Sequence, residues 1–492
     1  MKDKIKQIVG WRPTPVQYSC GAVLLLTVLL VPLLRLAEYS VPYYDDYVYG
    51  RFALTAMEQQ PGWGSALKGT WECIRISWHA WQGTYSSIFF MTLMPGVWGE
   101  EYYCLGPIFL ILFMTVTVGM LVYTLLKSVL KTDWQHALGI SAVSAILAVV
   151  MIHTAQEGFY WYNGGVHYVG MHGFCMLLIL VAVQVLTAES GARRYVLALV
   201  TALLAFVTAG GNLVTTLQGL LVILSIVMLG FWVRRRQAFF LLPALAAYVG
   251  GFVLNVTAPG NDKRAKSFVG WGMSPIESVL NSFKEALGHA WEFTGWMTLI
   301  LLVLMIPMIM HMVKSVDFAF RFPGLITLWS VCLYATGFTP SLYSLGHAGL
   351  DRSLNAVKLT WQLLLILNLI YWCGWIARHT EGIQRRMCRW WVYLLLGLAA
   401  VFAFETEPNQ AGSFSPYGAY YYVHTGEAYN FYQEYLARVE VLKSDAEPVV
   451  LKPYKWRPWF LCIGDLSDNP ADESNMALAM WYDKDEVICV EE

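Results

Sequence analysis

Gln17-Tyr-Ser-Cys-Gly-Ala-Val-Leu-Leu-Leu-Thr-Val-Leu-Leu-Val-Pro-Leu-Leu-Arg-Leu-Ala37 carries one charge, Arg35, in 21 residues. As a helix rising about 1.5 Å per residue, it crosses a hydrocarbon core of about 30 Å. Lys2, Lys4, Lys6 and Arg12 precede it, as bases precede a secretory signal. The run is too long for one, and Arg35-Leu-Ala-Glu-Tyr39 offers no small-x-small cleavage site, so the stretch reads as a retained anchor. Comparable windows recur at 104–126, 137–153, 168–188, 195–211, 213–233, 238–256, 294–313, 323–341, 357–377 and 390–405, about eleven spans in all. Only Gly210, Gly211 and Asn212 interrupt the apolar run 195–233, which predicts a tight turn at the membrane surface. Of the 492 residues, 57% are hydrophobic and 14% charged, and the mean hydropathy is positive. A soluble fold of this size carries roughly 25% charge, so the apolar excess needs lipid around it. The expected fold class is an all-α polytopic membrane protein.

Loop charge predicts orientation. One set of loops, with Lys127, Arg194, Arg235 and Arg378 among its bases, holds 17 Lys and Arg against five acids; the other holds 16 against 29. The positive-inside rule puts the first set in the cytoplasm, and an odd span count then places the N-terminus inside and 407–492 outside. The net charge of −1 is thus two opposed surfaces cancelling, and it argues against a nucleic-acid partner. Pro and Gly are spread along the chain without low-complexity segments or a repeat period. Residues 1–406 form the expected membrane domain, with a large first outer loop at 38–103. The tail 407–492, with 15 acids and 6 bases, has the pattern of a small α+β domain. A helix is predicted over 427–443, and strands at Val449-Val-Leu451, Trp459-Phe-Leu-Cys-Ile463 and Val487-Ile-Cys-Val490. The nine Cys include no C-x-x-C pair; Cys462 and Cys489 both fall in the tail, where an oxidising compartment would permit a disulfide that spacing alone does not establish.

A transporter displays ionisable residues inside its spans, and this chain has almost none. Its polar chemistry collects in four outward segments, 38–103, 153–167, 257–293 and 342–356, which points to binding or reaction at the membrane surface. The first contains Tyr43-Tyr44-Asp45-Asp46-Tyr47. A carboxylate among aromatic rings near lipid suits a general base, and adjacent residues do not share a helix face, so one of the two meets a substrate. Equally, the pair reads as the N-terminal cap of a surface helix running to Gln60. Trp78-His79-Ala-Trp81-Gln82-Gly83-Thr84-Tyr85 follows, its aromatics suited either to an interfacial belt or to stacking on sugar rings. The second segment mixes Glu157, Trp161, Tyr162, Asn163 and His167 as a pocket rim, in which His153 and His167 are equally read as structural. In the third, Pro259-Gly-Asn261 predicts a turn aiming Lys263, Arg264 and Lys266, either at a lipid phosphate or simply into solvent. The fourth holds His347, Asp351, Arg352 and Asn355, with Arg352 a second phosphate ligand or an ion-pair partner for Asp351.

Taken in order, these segments resemble a family of bacterial multi-pass membrane proteins allied to the GT-C glycosyltransferases, which use polyprenyl-phosphate sugar donors. The resemblance rests on Asp45-Asp46-Tyr47, Glu157-Gly-Phe-Tyr-Trp161, Ala258-Pro-Gly-Asn261 with Arg264, Arg352-Ser-Leu-Asn355, and in the tail Ser415 to Tyr435, Arg438, Asp465 and Asn475. It departs at Gly83-Thr84, where relatives show Gly-Arg after a Trp. The resemblance implies a GT-C-like helical domain in a bacterial cytoplasmic membrane that transfers a sugar from a polyprenyl-phosphate carrier to a glycan or other cell-envelope acceptor. In that reading Asp45 or Asp46 is the base of an inverting displacement, and Lys263, Arg264, Lys266 and Arg352 bind the donor phosphate. His79, Trp81, Tyr85, Glu157, Trp161, Tyr162, Asn163, His167, Asn261, His347 and Asn355 are the expected substrate contacts. No cofactor is required, although the Asp45 and Asp46 pair leaves a divalent metal open. The alternatives are a transporter or flippase of lipid-linked saccharide and a non-catalytic glycan-binding scaffold.

Overall fold

A computed structural model describes residues 14–189, 191–268, 270–380 and 414–490. Nine helical segments among them are long and apolar enough to cross a membrane, and Trp134–Val150 is a shorter apolar helix. The protein is an all-α multi-pass membrane protein, as expected where every backbone polar group in lipid must be satisfied within its own segment. The helices used below are α1 (Pro15–Ala37), α2 (Asp45–Gln59), α3 (Trp63–Ala80), α4 (Tyr85–Thr92), α5 (Leu105–Thr124), α6 (Trp134–Val150), α7 (Met171–Thr187), α8 (Ala192–Ala209), α9 (Leu213–Val233) and α10 (Leu242–Val256). They continue with α11 (Pro259–Ser267), α12 (Pro275–Ser315), α13 (Pro323–Thr336), α14 (Thr339–Leu345), α15 (Asp351–His379), α16 (Ser415–His424), α17 (Glu427–Leu442) and α18 (Glu473–Tyr482). Ten of the eleven sequence windows coincide with apolar helices; the eleventh, 390–405, lies outside the described residues.

Local signals start these helices. At α1, Thr14 accepts the Gln17 N–H while the Gln17 side chain returns to the Thr14 N–H, and Pro15 supplies a preset first turn. Ser274 and Glu277 repeat the device at α12. This helix bends where Gly295 adopts φ 55° and ψ 173°. The Gly210–Asn212 break does separate α8 from α9, and Asn212 caps α9 by accepting the Thr215 N–H at 2.9 Å.

The segments expected to face outward are helical where loops were expected. Residues 38–103 fold into α2, α3 and α4, and 257–293 into α11 and the first half of α12. Pro259-Gly-Asn261 is the first turn of α11 rather than a loop turn, because proline's fixed φ fits the first helical position and its missing N–H is not needed there. At Asp45-Asp46 the helix α2 does begin, but Tyr44 occupies the cap position, without a side-chain cap.

In the tail, β1 (Val449–Leu451) and β2 (Val487–Cys489) pair in parallel, Val449 opposite Val487. Trp459-Phe-Leu461 is a turn and not a strand, since the Leu461 and Cys462 N–H groups both bond to the Pro458 carbonyl; Phe460 and Leu461 are buried all the same. Cys462 and Cys489 make separate sulfur contacts, with Gly464 O and with Arg438 Nη2, rather than a bridge. Residues of the tail, including Phe431, Tyr435 and Trp481, belong to the same buried cluster as Leu36 of α1, Tyr47 of α2 and Tyr160. The tail residues that carried the family resemblance are fasteners. Arg438 pairs with Asp465 at 2.8 Å across the face of Tyr454, and Asn475 bonds to Ser467 and Val487 carbonyls.

Candidate functional site

Five segments distant in sequence meet at one end of the bundle: the start of α2, the Trp81–Gly83 link after α3, the segment 156–170, α11, and the start of α15. The segment 156–170 consists of two wide π-helical turns, Gln156–Tyr160 and Val166–Gly170, around the short α-turn Tyr162–Gly165. Such turns carry an extra residue, which re-aims side chains, and they recur at functional sites.

The two adjacent carboxylates have different fates. Asp46 has no exposed surface. Its Oδ2 accepts the Tyr43 N–H at 2.9 Å and the Tyr103 hydroxyl at 2.7 Å, and its Oδ1 accepts the Asn163 N–H at 3.0 Å. Burial nevertheless pushes its pKa up to about 7, against the lowering effect of those bonds. Asp46 therefore anchors α2 to the 156–170 segment and cannot meet a substrate. Asp45, one residue and about 100° round the helix, remains partly open. Its backbone carbonyl takes a 2.7 Å bond from Asn163 Nδ2, leaving the carboxylate to the cluster. Burial raises its pKa, while the charges of Arg352 and Arg264 pull it back and Glu473 adds a smaller rise.

Both arginines are braced in the same manner. Arg264 lies 5.0 Å from the Trp81 ring and donates to Gln82 Oε1 at 2.7 Å. Arg352 lies 5.5 Å from the Trp161 ring and 3.5 Å from Glu157 Oε1. A guanidinium on an aromatic face gains about 0.5–2 kcal/mol, and the N–H groups not given to Gln82 or Glu157 are left for an anion. His167 and Tyr168 both lie within reach of the two charges. Glu157 Oε2 is buried with no hydrogen-bond partner, and burial raises the pKa of this carboxyl despite Arg352.

The framework is held by amides and a close backbone approach. Asn261 Oδ1 accepts the Gly83 N–H at 3.2 Å, and Asn355 bonds twice to the Thr154 backbone, at 2.9 and 3.0 Å. Tyr162 receives its own support from Tyr103 and donates to the Phe90 carbonyl. A methyl group on Gly83 would lie 1.9 Å from the Asn255 carbonyl oxygen, so α3 and α10 approach as they do only because no side chain intervenes. Gly83→Ala is accordingly expected to destabilise the protein by about 1–3 kcal/mol. A thermal melt of the purified variant checks this.

Other expected contacts stand elsewhere. Lys263 and Lys266 are exposed on other sides of α11 than Arg264, whose face also carries Gly260, packed against the Trp81 and Gln82 backbone. His79 is exposed with its ring against Trp78, Tyr85 donates to the Phe206 carbonyl at 2.8 Å, and His347 accepts the Gly349 N–H. Sequence reading passed over Gln82, Tyr103 and Tyr168. Only Gln82, a polar residue between Trp81 and Gly83, gave a local hint.

Below the cluster, α5, α7, α9, α13 and α15 line a half-open apolar cavity of about 280 Å³. His172, Thr215, Gln218 and Thr360 line its end nearest the cluster, and neither ring nitrogen of the buried His172 has a partner. Among the described residues, no group of three or more His, Cys, Asp and Glu side chains comes together in an arrangement that could hold a metal.

Fold and cluster together define a multi-pass membrane protein with a charged, aromatic-walled site at one end of its bundle. Compared with protein-family models, curated proteins and solved structures, the chain matches none.

Proposed function

We propose that this protein is a GT-C-like glycosyltransferase that moves a sugar from a polyprenyl-phosphate carrier to an acceptor hydroxyl at the outer face of a bacterial cytoplasmic membrane. The observation that carries the reading is one partly open carboxylate, Asp45, within the electrostatic reach of two arginines that are each backed by a tryptophan. An apolar cavity beneath the cluster suits the hydrocarbon end of such a donor. In this orientation the N-terminus and the basic loops are cytoplasmic, and the tail and the site are external.

The reaction is a single displacement. The acceptor oxygen attacks the anomeric carbon, its proton passes to the Asp45 carboxylate, and the bond from that carbon to the phosphate oxygen breaks with its electron pair leaving on the phosphate. The configuration at carbon inverts. A hydroxyl is far too weak an acid to ionise first, so proton removal accompanies attack, and a base with a raised pKa is better suited than an ordinary aspartate. Arg264 and Arg352 stabilise the charge that grows on the departing phosphate.

The base must be ionised, so activity falls as pH drops through its pKa. The acid limb of the rate profile is therefore expected above the ordinary aspartate value of 3.8. Arg352→Gln removes the largest lowering influence, so the limb moves to higher pH, and kcat/KM drops by about 10²-fold as leaving-group stabilisation is lost. The test of the function is transfer by purified protein from a polyprenyl-phosphate sugar to candidate envelope acceptors. Lipid-linked sugar crossing proteoliposomes without transfer would instead identify a flippase.

A further inference from the structure

On the other side of α2 from Arg264 lies an open cleft of about 750 Å³, formed by α2, α3 and α18. Arg51, Thr55, Gln59 and Gln60 line one wall, Ser65 and Lys68 the second, and Met480 of α18 the third. The acid on the α3 wall, Glu72, is already paired with Arg75 at 2.5 Å. Among the described residues, neither Arg51 nor Lys68 has an ion-pair partner. Two uncommitted cations are unusual here, since the tail beside them carries 15 acids and 6 bases.

The cleft also leads somewhere. Val48 and Met480 line both it and a neighbouring depression of about 390 Å³, whose walls include Tyr44 and Glu473. Tyr44 donates to Glu473, and the Glu473 charge reaches Asp45. Arg51 follows Asp45 by six residues, so this cation sits about 9 Å along the helix from the base. A chain of sugar or polyol units lying in the groove would span that distance.

We propose that this groove binds the acceptor, and that the acceptor is an acidic glycan whose carboxylate or phosphodiester groups are held by Arg51 and Lys68. The inference rests on the transfer reaction proposed above and adds the chemical class of its second substrate. The side-chain amides of Gln59 and Gln60 offer donors and acceptors to ring hydroxyls. The neighbouring depression, with Glu473, Asp485 and Glu486 against Lys484, repels acidic groups, so those of the polymer are held at Arg51 and Lys68 and only its neutral units pass toward the base.

Binding is tested separately from transfer, on the full-length protein in nanodiscs, by anisotropy of labelled oligomers of equal length. The probes are a polyuronate, a polyglycerol phosphate and a neutral glucan. At least one acidic oligomer is expected to bind about tenfold more tightly than the glucan, with affinity falling as salt rises. Whichever acidic probe binds identifies the source of the charge. The Arg51→Gln, Lys68→Gln double variant loses that preference, and Lys68→Gln alone, an exposed and structurally tolerant change, weakens it severalfold. Equal binding of all three oligomers, or a preference untouched in the folded variants, overturns the proposal. Asp45→Asn keeps the preference. If transfer is absent or independent of Asp45 while acidic binding still depends on Arg51 and Lys68, the catalytic reading fails and the groove stands.

Discussion

Asp45→Asn is expected to reduce sugar transfer by about 10²–10⁴-fold, the range that a positioned general base contributes. Asparagine has nearly the same shape and no basic oxygen. Only the Asp45 backbone carbonyl is used in holding the neighbouring segment, through Asn163 Nδ2, and the substitution leaves it in place. The melting temperature should therefore stay close to that of the wild type, since changes outside structural contacts usually fall within about 0.5 kcal/mol. A rate measured alongside a melt separates loss of chemistry from loss of fold. Full activity in a folded Asp45→Asn protein would remove the base from the mechanism.

The neighbouring substitution is expected to do the opposite. Asp46→Ala strips the acceptor from the buried N–H groups of Tyr43 and Asn163 and from the Tyr103 hydroxyl. Each of the three buried donors left without a partner costs about 1–3 kcal/mol, so a loss of roughly 3–9 kcal/mol is expected, enough to unfold a marginal protein. The readout is the yield of folded protein and its melting temperature, with any transfer falling in proportion to folded fraction. Asp46 also makes stability depend on pH. Its folded pKa is raised, so its proton-linked stability is complete below the unfolded value of 3.8 and is lost as pH rises through about 7. The wild-type melting temperature should fall across that upper range more steeply than that of Asp46→Asn.

The contrast between these two residues shows how far local sequence goes. Asp45-Asp46 is visible as a carboxylate pair, and helix geometry says that the two point in different directions. Which one is enclosed depends on Tyr103 and Asn163, 57 and 117 residues away from Asp46. The three cations of 263–266 look equivalent in the chain. Arg264 alone is selected because it shares the side of α11 on which Gly260 lets the helix settle against the Trp81–Gln82 backbone. Trp81 reads equally as a lipid-interface anchor, and Trp161 as one residue of a pocket rim, until their rings are seen behind guanidinium groups.

The sequence by itself determined the membrane class and the placement of ten described apolar helices, because crossing lipid is a local requirement: enough consecutive apolar residues, with caps and breakers at the ends. It also marked out the segments in which the polar chemistry collects. Tertiary structure decided that Asp45, Trp81, Glu157, Trp161, Arg264 and Arg352 belong to one site. It also turned the supposed outer loops into helices with one face inward and the other open. Those outcomes follow from contacts between segments far apart in the chain, fixed by where a glycine allows close approach and where a buried amide or tyrosine closes a hydrogen bond, and no local pattern of residues encodes them.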